Sequence, residues 1–132
     1  MSFSPIPAYV FGTIFTGIGV LSFLAPETDY AVFGLPLEGA SPASPTKGGV
    51  SPFVYAKGAR DLAFGFTYFA LQYRGLEEAV TIFSAVLCTV ALMDGAIVSK
   101  FGGDQYKGKS WGHWGGLLPF GAYVAYRVQN SL

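Results

Sequence analysis

The sequence predicts an all-α protein, a four-helix transmembrane bundle forming a single domain over residues 1–132. Hydrophobic residues make up 52% of the chain and charged residues only 12%, against about 25% charged in a soluble domain. The charges are also absent over long runs: none precedes Glu27. Four apolar segments, the later three interrupted by a few ionisable residues, approach the 17–25 residues that a helix needs to cross a ~30 Å hydrocarbon layer. The same numbers exclude other classes. Eight basic and eight acidic residues leave no basic excess for nucleic acid. A 17% aromatic content excludes disorder, and Cys88, the single cysteine, has no partner for an internal disulfide.

The first span is expected over residues 8–25 (AYVFGTIFTGIGVLSFLA), which have no polar face. A cleaved signal peptide would carry a basic n-region and a shorter apolar core, so the segment is read as retained. Residues 26–52 hold five of the eight prolines and no helical periodicity; they are expected to form a loop, with Glu27 and Asp29 as ordinary loop charges. Its first part, Tyr30 to Leu37, is apolar enough for the headgroup region. The part GASPASPTKGG has linker chemistry. Spans two and three are expected over residues 53–73 and 79–99, joined by a tight hairpin at Arg74–Glu78. A Gly-rich basic connection, Lys100–Lys109, leads to span four, residues 110–126, with a kink expected from Pro119. Both termini then share one side, and the loops after spans one and three share the other. That loop side carries Lys47, Lys100, Lys107 and Lys109 against Arg74 and Arg127, which makes it cytoplasmic by the positive-inside tendency.

Five ionisable residues fall inside the spans: Lys57, Arg60, Asp61, Asp94 and His113. Such residues are costly in a bilayer and are functional-site hypotheses by default. At about 1.5 Å of rise per residue, Asp61 lies ~13 Å, Asp94 ~9 Å and His113 ~6 Å from the loop side. Three helices thus place ionisable groups in one leaflet, and the other leaflet is expected to receive none. At about 100° per residue, Gly58, Asp61, Gly65, Tyr68 and Gln72 share an arc of span two, a mixture of small and polar residues suited to helix packing. Ser84, Cys88, Ala91 and Gly95 repeat the pattern in span three, with Asp94 at its edge. Gly12, Thr16 and Gly19 supply it in span one, and Gly112-x-x-x-Gly116 in span four. Arg60 points roughly 100° from Asp61, so its expected partner is Asp94 rather than its neighbour.

The catalytic candidates are Asp61, Asp94 and His113, as groups that exchange protons. Arg60, Lys57, Tyr68, Trp111 and Trp114 are candidates for binding substrate, with Arg60 positioning or polarising it. Each has a bland counterpart: Lys57 as a side chain reaching to the interface, Arg60 with Asp94 as an interhelical lock, His113 with its tryptophans as part of an aromatic belt. Cys88 is read as a packing residue. One His and one Cys furnish no zinc site, and no nucleotide loop occurs, so no metal and no cofactor are expected. The Phe, Tyr and Trp surroundings imply a lipophilic small-molecule substrate and the lipid bilayer as partners; no oligomeric state follows.

The segments Phe33-Gly34-Leu35-Pro36 and Lys57-Gly58-Ala59-Arg60-Asp61-Leu62-Ala63-Phe64-Gly65, with Asp94 and His113, resemble the domain-of-unknown-function family 4267, small four-span membrane proteins of fungi and bacteria. The architecture is similar to that of DoxX-type four-helix membrane proteins. Fungal relatives lie near secondary-metabolite biosynthetic genes, so the resemblance implies a tailoring step such as cyclisation or isomerisation, in an endomembrane such as the endoplasmic reticulum if the source is eukaryotic. Three functions are therefore expected in descending order: a membrane-embedded acid–base cyclase or isomerase, a non-catalytic structural protein, and a proton-coupled transporter.

Overall fold

A computed structural model describes residues 3–44 and 47–131, so Pro45 and Thr46 of the linker-like tract lie outside the described residues. The described chain is helical, with two isolated β-bridges and no strand. Its order is α1 (Ile6–Leu24), α2 (Pro26–Phe33), α3 (Phe53–Tyr73), α4 (Glu77–Phe101), α5 (Gly103–Tyr106), a 3-10 turn (Lys107–Lys109), α6 (Ser110–Gly115) and α7 (Leu117–Ser131).

Helix α2 corrects the expectation of a loop over residues 26–52. Ala25 precedes a proline, which disfavours helical backbone; its φ of −144° ends α1 and turns the chain. Pro26 then opens a new helix at a position where its missing N–H costs nothing. Glu27 and Asp29 lie in the first turn, where the helix dipole favours acids. Gly34, at φ 107°, closes α2 in the left-handed conformation, with the amides of Gly34 and Leu35 both donating to the Tyr30 carbonyl at 2.9 Å. The remaining loop is pinned at its base, where Glu38 and Gly49 exchange backbone bonds of 2.8 and 3.0 Å.

Helices α1 and α3 pack through small residues. A Cβ on Gly19 would stand 2.8 Å from the Leu62 amide, and one on Gly65 would stand 2.7 Å from the Gly12 carbonyl. The buried face of α3 includes Gly58, Asp61, Gly65, Tyr68 and Gln72, the stripe read from helical spacing. Its hairpin to α4 turns at Gly75, at φ 65°. Between the helices Tyr68, Val80, Leu87 and Ala8 form the buried core, flanked by Phe11, Phe15, Phe83 and Phe120. The last helix is broken between Gly115 and Leu117, at the residues whose carbonyls lie one turn before Pro119, the place where a proline ring and missing donor disrupt a helix. The Gly112-x-x-x-Gly116 pattern makes no close interhelical contact, since a Cβ on Gly112 would meet nothing within 4 Å.

The outward faces are apolar. Ile14, Phe66, Val86 and Leu118 are each more than half exposed. Helices α1 and α4 are long and apolar enough to cross a membrane, yet only 22% and 28% of their most apolar stretches are buried within the protein. Most of each of these stretches is therefore left uncovered by the rest of the described chain.

Candidate functional site

A chain of ion pairs ties α2, α3 and α4 together near the start of α3, and a hydrogen bond joins α1 to it. Lys57 and Asp61, one turn apart on α3, bond at 2.9 Å. Lys57 Nζ also donates to both carboxylate oxygens of Asp29 on α2, at 3.1 Å each. Ser22 of α1 donates to Asp29 Oδ2 at 2.8 Å. Arg60 Nε donates to Asp61 Oδ1 at 3.2 Å. The two terminal nitrogens of Arg60 grip Asp94 of α4 as a fork, at 3.1 and 3.0 Å, the geometry that makes Arg–carboxylate pairs strong and specific.

Three sequence expectations change here. Asp29 is no loop charge: it is 1% exposed and anchors the network. The signal for it was available in the Pro26-Glu27-x-Asp29 opening and the Gly34 stop, a helix marked by its ends rather than by periodicity. Lys57, whose bland counterpart is a side chain reaching to the interface, is bound between the carboxylates of Asp29 and Asp61. Arg60 does meet Asp94, yet it also bonds Asp61, because its long side chain curves round the helix far enough for Nε to reach the neighbour.

His113, on α6, lies beside α2. Its Nε2 is 2.7 Å from the Phe33 carbonyl, and its ring packs on Phe33 with centroids 4.9 Å apart. A carbonyl only accepts, so Nε2 is the donor in this contact and Nδ1 is the ring nitrogen left for another partner. Lys109 donates to the Ala31 carbonyl, so two basic side chains hold the C-terminal end of α2, where carbonyls lack helical partners.

Two cavities adjoin this network. The first, about 480 Å³, is lined by apolar residues including Tyr30, Phe53, Val54 and Ile97. The second, about 330 Å³, extends among Phe15, Ile18, Leu87 and Phe120 and includes Asp61, Gly112 and His113. Asp29, Phe33, Lys57, Arg60 and Asp94 line both, so the ion pairs and Phe33 form a common wall. Bare Gly112 and Gly116 face the second cavity, which gives their lack of side chains a spatial use other than helix contact.

The structure thus brings together Lys57, Arg60, Asp61, Asp94 and His113. It sets three other candidates apart. Tyr68 is fully enclosed in the core and shares a 2.8 Å hydrogen bond with Ser84. Trp111 is 72% exposed. Trp114 donates to the Leu92 carbonyl at 3.3 Å and packs against Gly95. None of the three lines either cavity.

The far end of the helices also holds a buried charge, against the expectation of none. Arg127 is 0% exposed. It donates to Thr81 Oγ1 at 2.7 Å, Tyr123 OH at 2.9 Å and the Glu77 carbonyl at 2.8 Å, and it is salt-bridged to the Glu77 carboxylate. Helix α7 continues past residue 126 and turns this side chain inward.

No curated protein and no solved structure matches the chain. The family model described as Domain of unknown function (DUF4267) matches residues 12–127, nearly the whole length, and the chain belongs to that family.

Proposed function

We propose that this protein crosses the bilayer four times and acts there as a cofactor-free acid–base enzyme, a cyclase or isomerase of a lipophilic metabolite. The spans in this reading are α1, α3, α4 and the broken pair α6–α7. Support comes from the distribution of side chains, with Ser22, Asp29, Asp61, Ser84, Asp94 and Arg127 buried while Ile14, Phe66, Val86 and Leu118 face outward. Lys47, Lys100, Lys107 and Lys109 are exposed on the loop side, whereas Arg127 is buried and only Arg74 is exposed on the other, which favours a cytoplasmic loop side. An endomembrane location, in a eukaryote, belongs to the same proposal.

One observation carries the enzyme reading: ionisable groups from three helices meet on the wall between two largely apolar cavities, and His113 of a fourth lines the second. Pockets of this size with a few convergent polar groups are the default ligand sites of proteins. Within it, Arg60 polarises the substrate, His113 exchanges a proton through Nδ1, and Asp61 and Asp94 orient Arg60 and balance charge that develops beside them. The second reading, a structural lock, draws on the fact that every carboxylate oxygen of Asp29, Asp61 and Asp94 already accepts a hydrogen bond.

Metabolite profiles of a strain lacking the gene, complemented with wild type, Asp94→Asn or His113→Gln, separate the two. In the enzyme reading a lipophilic precursor accumulates without the gene. His113→Gln then lowers turnover by about 100-fold or more, the usual worth of a general acid or base, while the folded protein persists. A wild-type profile from folded His113→Gln and Asp94→Asn protein would leave the structural lock.

A further inference from the structure

The hydrogen-bond inventory of the network is uneven. Lys57 has three N–H donors and spends all three, two on Asp29 and one on Asp61. Arg60 has five and spends three, one on Asp61 and two on Asp94. Its two other N–H groups have no partner among the described residues. The guanidinium carbon stands 5.7 Å from the Phe64 ring centre. The side chain is 34% exposed, and it borders both cavities. Arg60 is thus the cation of the network with donors left to give, and it gives them beside an apolar space.

Formal charge narrows what can take them. Three carboxylates face two cations, so the network carries one net negative charge. An anionic ligand would add a second uncompensated charge in an apolar enclosure, which is expensive. A cationic ligand would meet carboxylates whose oxygens are already engaged, and it would itself face Arg60. A neutral oxygen acceptor meets neither obstacle. The second cavity, at about 330 Å³, lies at the small end of ligand pockets, and Phe15, Ile18, Leu87 and Phe120 give its body apolar walls.

We infer that the second cavity takes a small, neutral, lipophilic carbonyl compound whose oxygen accepts from one of the two uncommitted N–H groups of Arg60. This rests on the reading of the cluster as a ligand site and names its substrate class. The chemistry is closed within the site. A C–H bond beside the carbonyl breaks, its proton goes to His113 Nδ1, and its electron pair moves onto the oxygen held by Arg60. In a β,γ-unsaturated carbonyl compound the electron pair is shared with the γ carbon, and return of that proton from the imidazolium to the γ carbon gives the conjugated isomer. The sum of charges is unchanged at every stage, and no other reactant is consumed.

The test uses the full chain in lipid nanodiscs and three probes on one ring system: 2-acetonaphthone (neutral ketone), 2-naphthoate (anion) and 2-naphthylmethylammonium (cation). Saturable binding of the ketone is expected, with the two ions at least about tenfold weaker. Gly112→Leu, which fills open space in the cavity, abolishes the saturable part and separates it from partition into lipid. Arg60→Lys keeps the charge but has no donors to spare once Asp61 and Asp94 are served; it weakens the ketone about tenfold, the worth of one hydrogen bond to a charged group. Preferred binding of either ion to wild type, a ranking that needs no variant, overturns the carbonyl assignment and leaves the site standing. So does unchanged ketone affinity in folded Arg60→Lys. Absence of saturable binding by all three probes overturns the ligand-site reading and this inference together.

Discussion

Arg60 and Arg127 are both bonded to acids across helices, at opposite ends of the α3–α4 hairpin, and their surroundings differ. Arg127 is completely enclosed, and its guanidinium is distributed over Glu77, Thr81 and Tyr123. Arg60 is a third exposed, borders two cavities and retains unspent donors. The contrast teaches that a buried charge is not by itself a sign of function. Enclosure with four of five donors paired describes a fastening, whereas looser pairing beside empty apolar volume describes a site.

Stability measurements in detergent sharpen this contrast most. Arg127→Met removes one member of a buried pair and takes the donor from the Tyr123 hydroxyl, so a loss of about 3–5 kcal/mol is expected. Arg60→Met leaves Asp61 with Lys57, and Asp94 borders cavities open to rehydration; the expected loss is about 1–2 kcal/mol. Chemical unfolding monitored by helix content reads both. Equal losses would break the comparison and make Arg60 a second fastening.

Glycine substitutions repeat the comparison on a smaller scale. A Cβ on Gly65 meets backbone atoms of α1, at 2.7 Å from the Gly12 carbonyl and 2.8 Å from the Thr16 amide. Gly65→Ala therefore forces the helices apart, at a cost of about 1–3 kcal/mol. A Cβ on Gly112 meets nothing within 4 Å, and its backbone φ is not positive. Gly112→Ala is expected to stabilise by about 0.5–1 kcal/mol through helix propensity alone. Opposite signs in the two thermal midpoints are the expected result; a loss at both sites would mean that α6 is as tightly packed as α1 against α3.

What could be read from the sequence follows the same division. The inward stripe of α3 was legible because a long regular helix obeys 100° arithmetic, and the Arg60–Asp94 pairing followed from the angle between Arg60 and Asp61. Helix α2 was not, since eight residues in a proline-rich tract give no periodicity, and its evidence lies in end signals alone. Losing α2 also lost Asp29, the most enclosed carboxylate of the network. Arg127 was missed for another reason: a span whose end is set by its first charge cannot reveal a buried charge one residue further. Tyr68 shared the stripe with Asp61 but lies seven residues along it, about 10 Å nearer the core at 1.5 Å per residue, so one helical face serves both site and core.

The smallest expected effect belongs to a pair with no enclosure at all. Asp104 and Lys107 bond at 2.6 Å with side chains 98% and 60% exposed. The hydrogen bond from Lys107, and secondarily its charge, hold the Asp104 carboxyl below its usual range; the reciprocal bond and charge raise the Lys107 ammonium. A carboxyl depressed by folding contributes stability above its unfolded pKa and loses it as pH falls through the folded value. An ammonium raised by folding contributes below its unfolded pKa and loses it as pH rises through the folded value. The pair therefore favours the folded state across the range between these limits, but water and salt screen it almost completely. Lys107→Ala should move the Asp104 titration, followed by NMR, back toward the ordinary carboxylate range, an effect that shrinks with added salt, and should leave the unfolding midpoint unchanged. The pair is no longer than the contacts of Arg60 to its acids, so a midpoint loss like that of Arg127→Met would mean that distance, rather than enclosure, sets the worth of an ion pair in this protein.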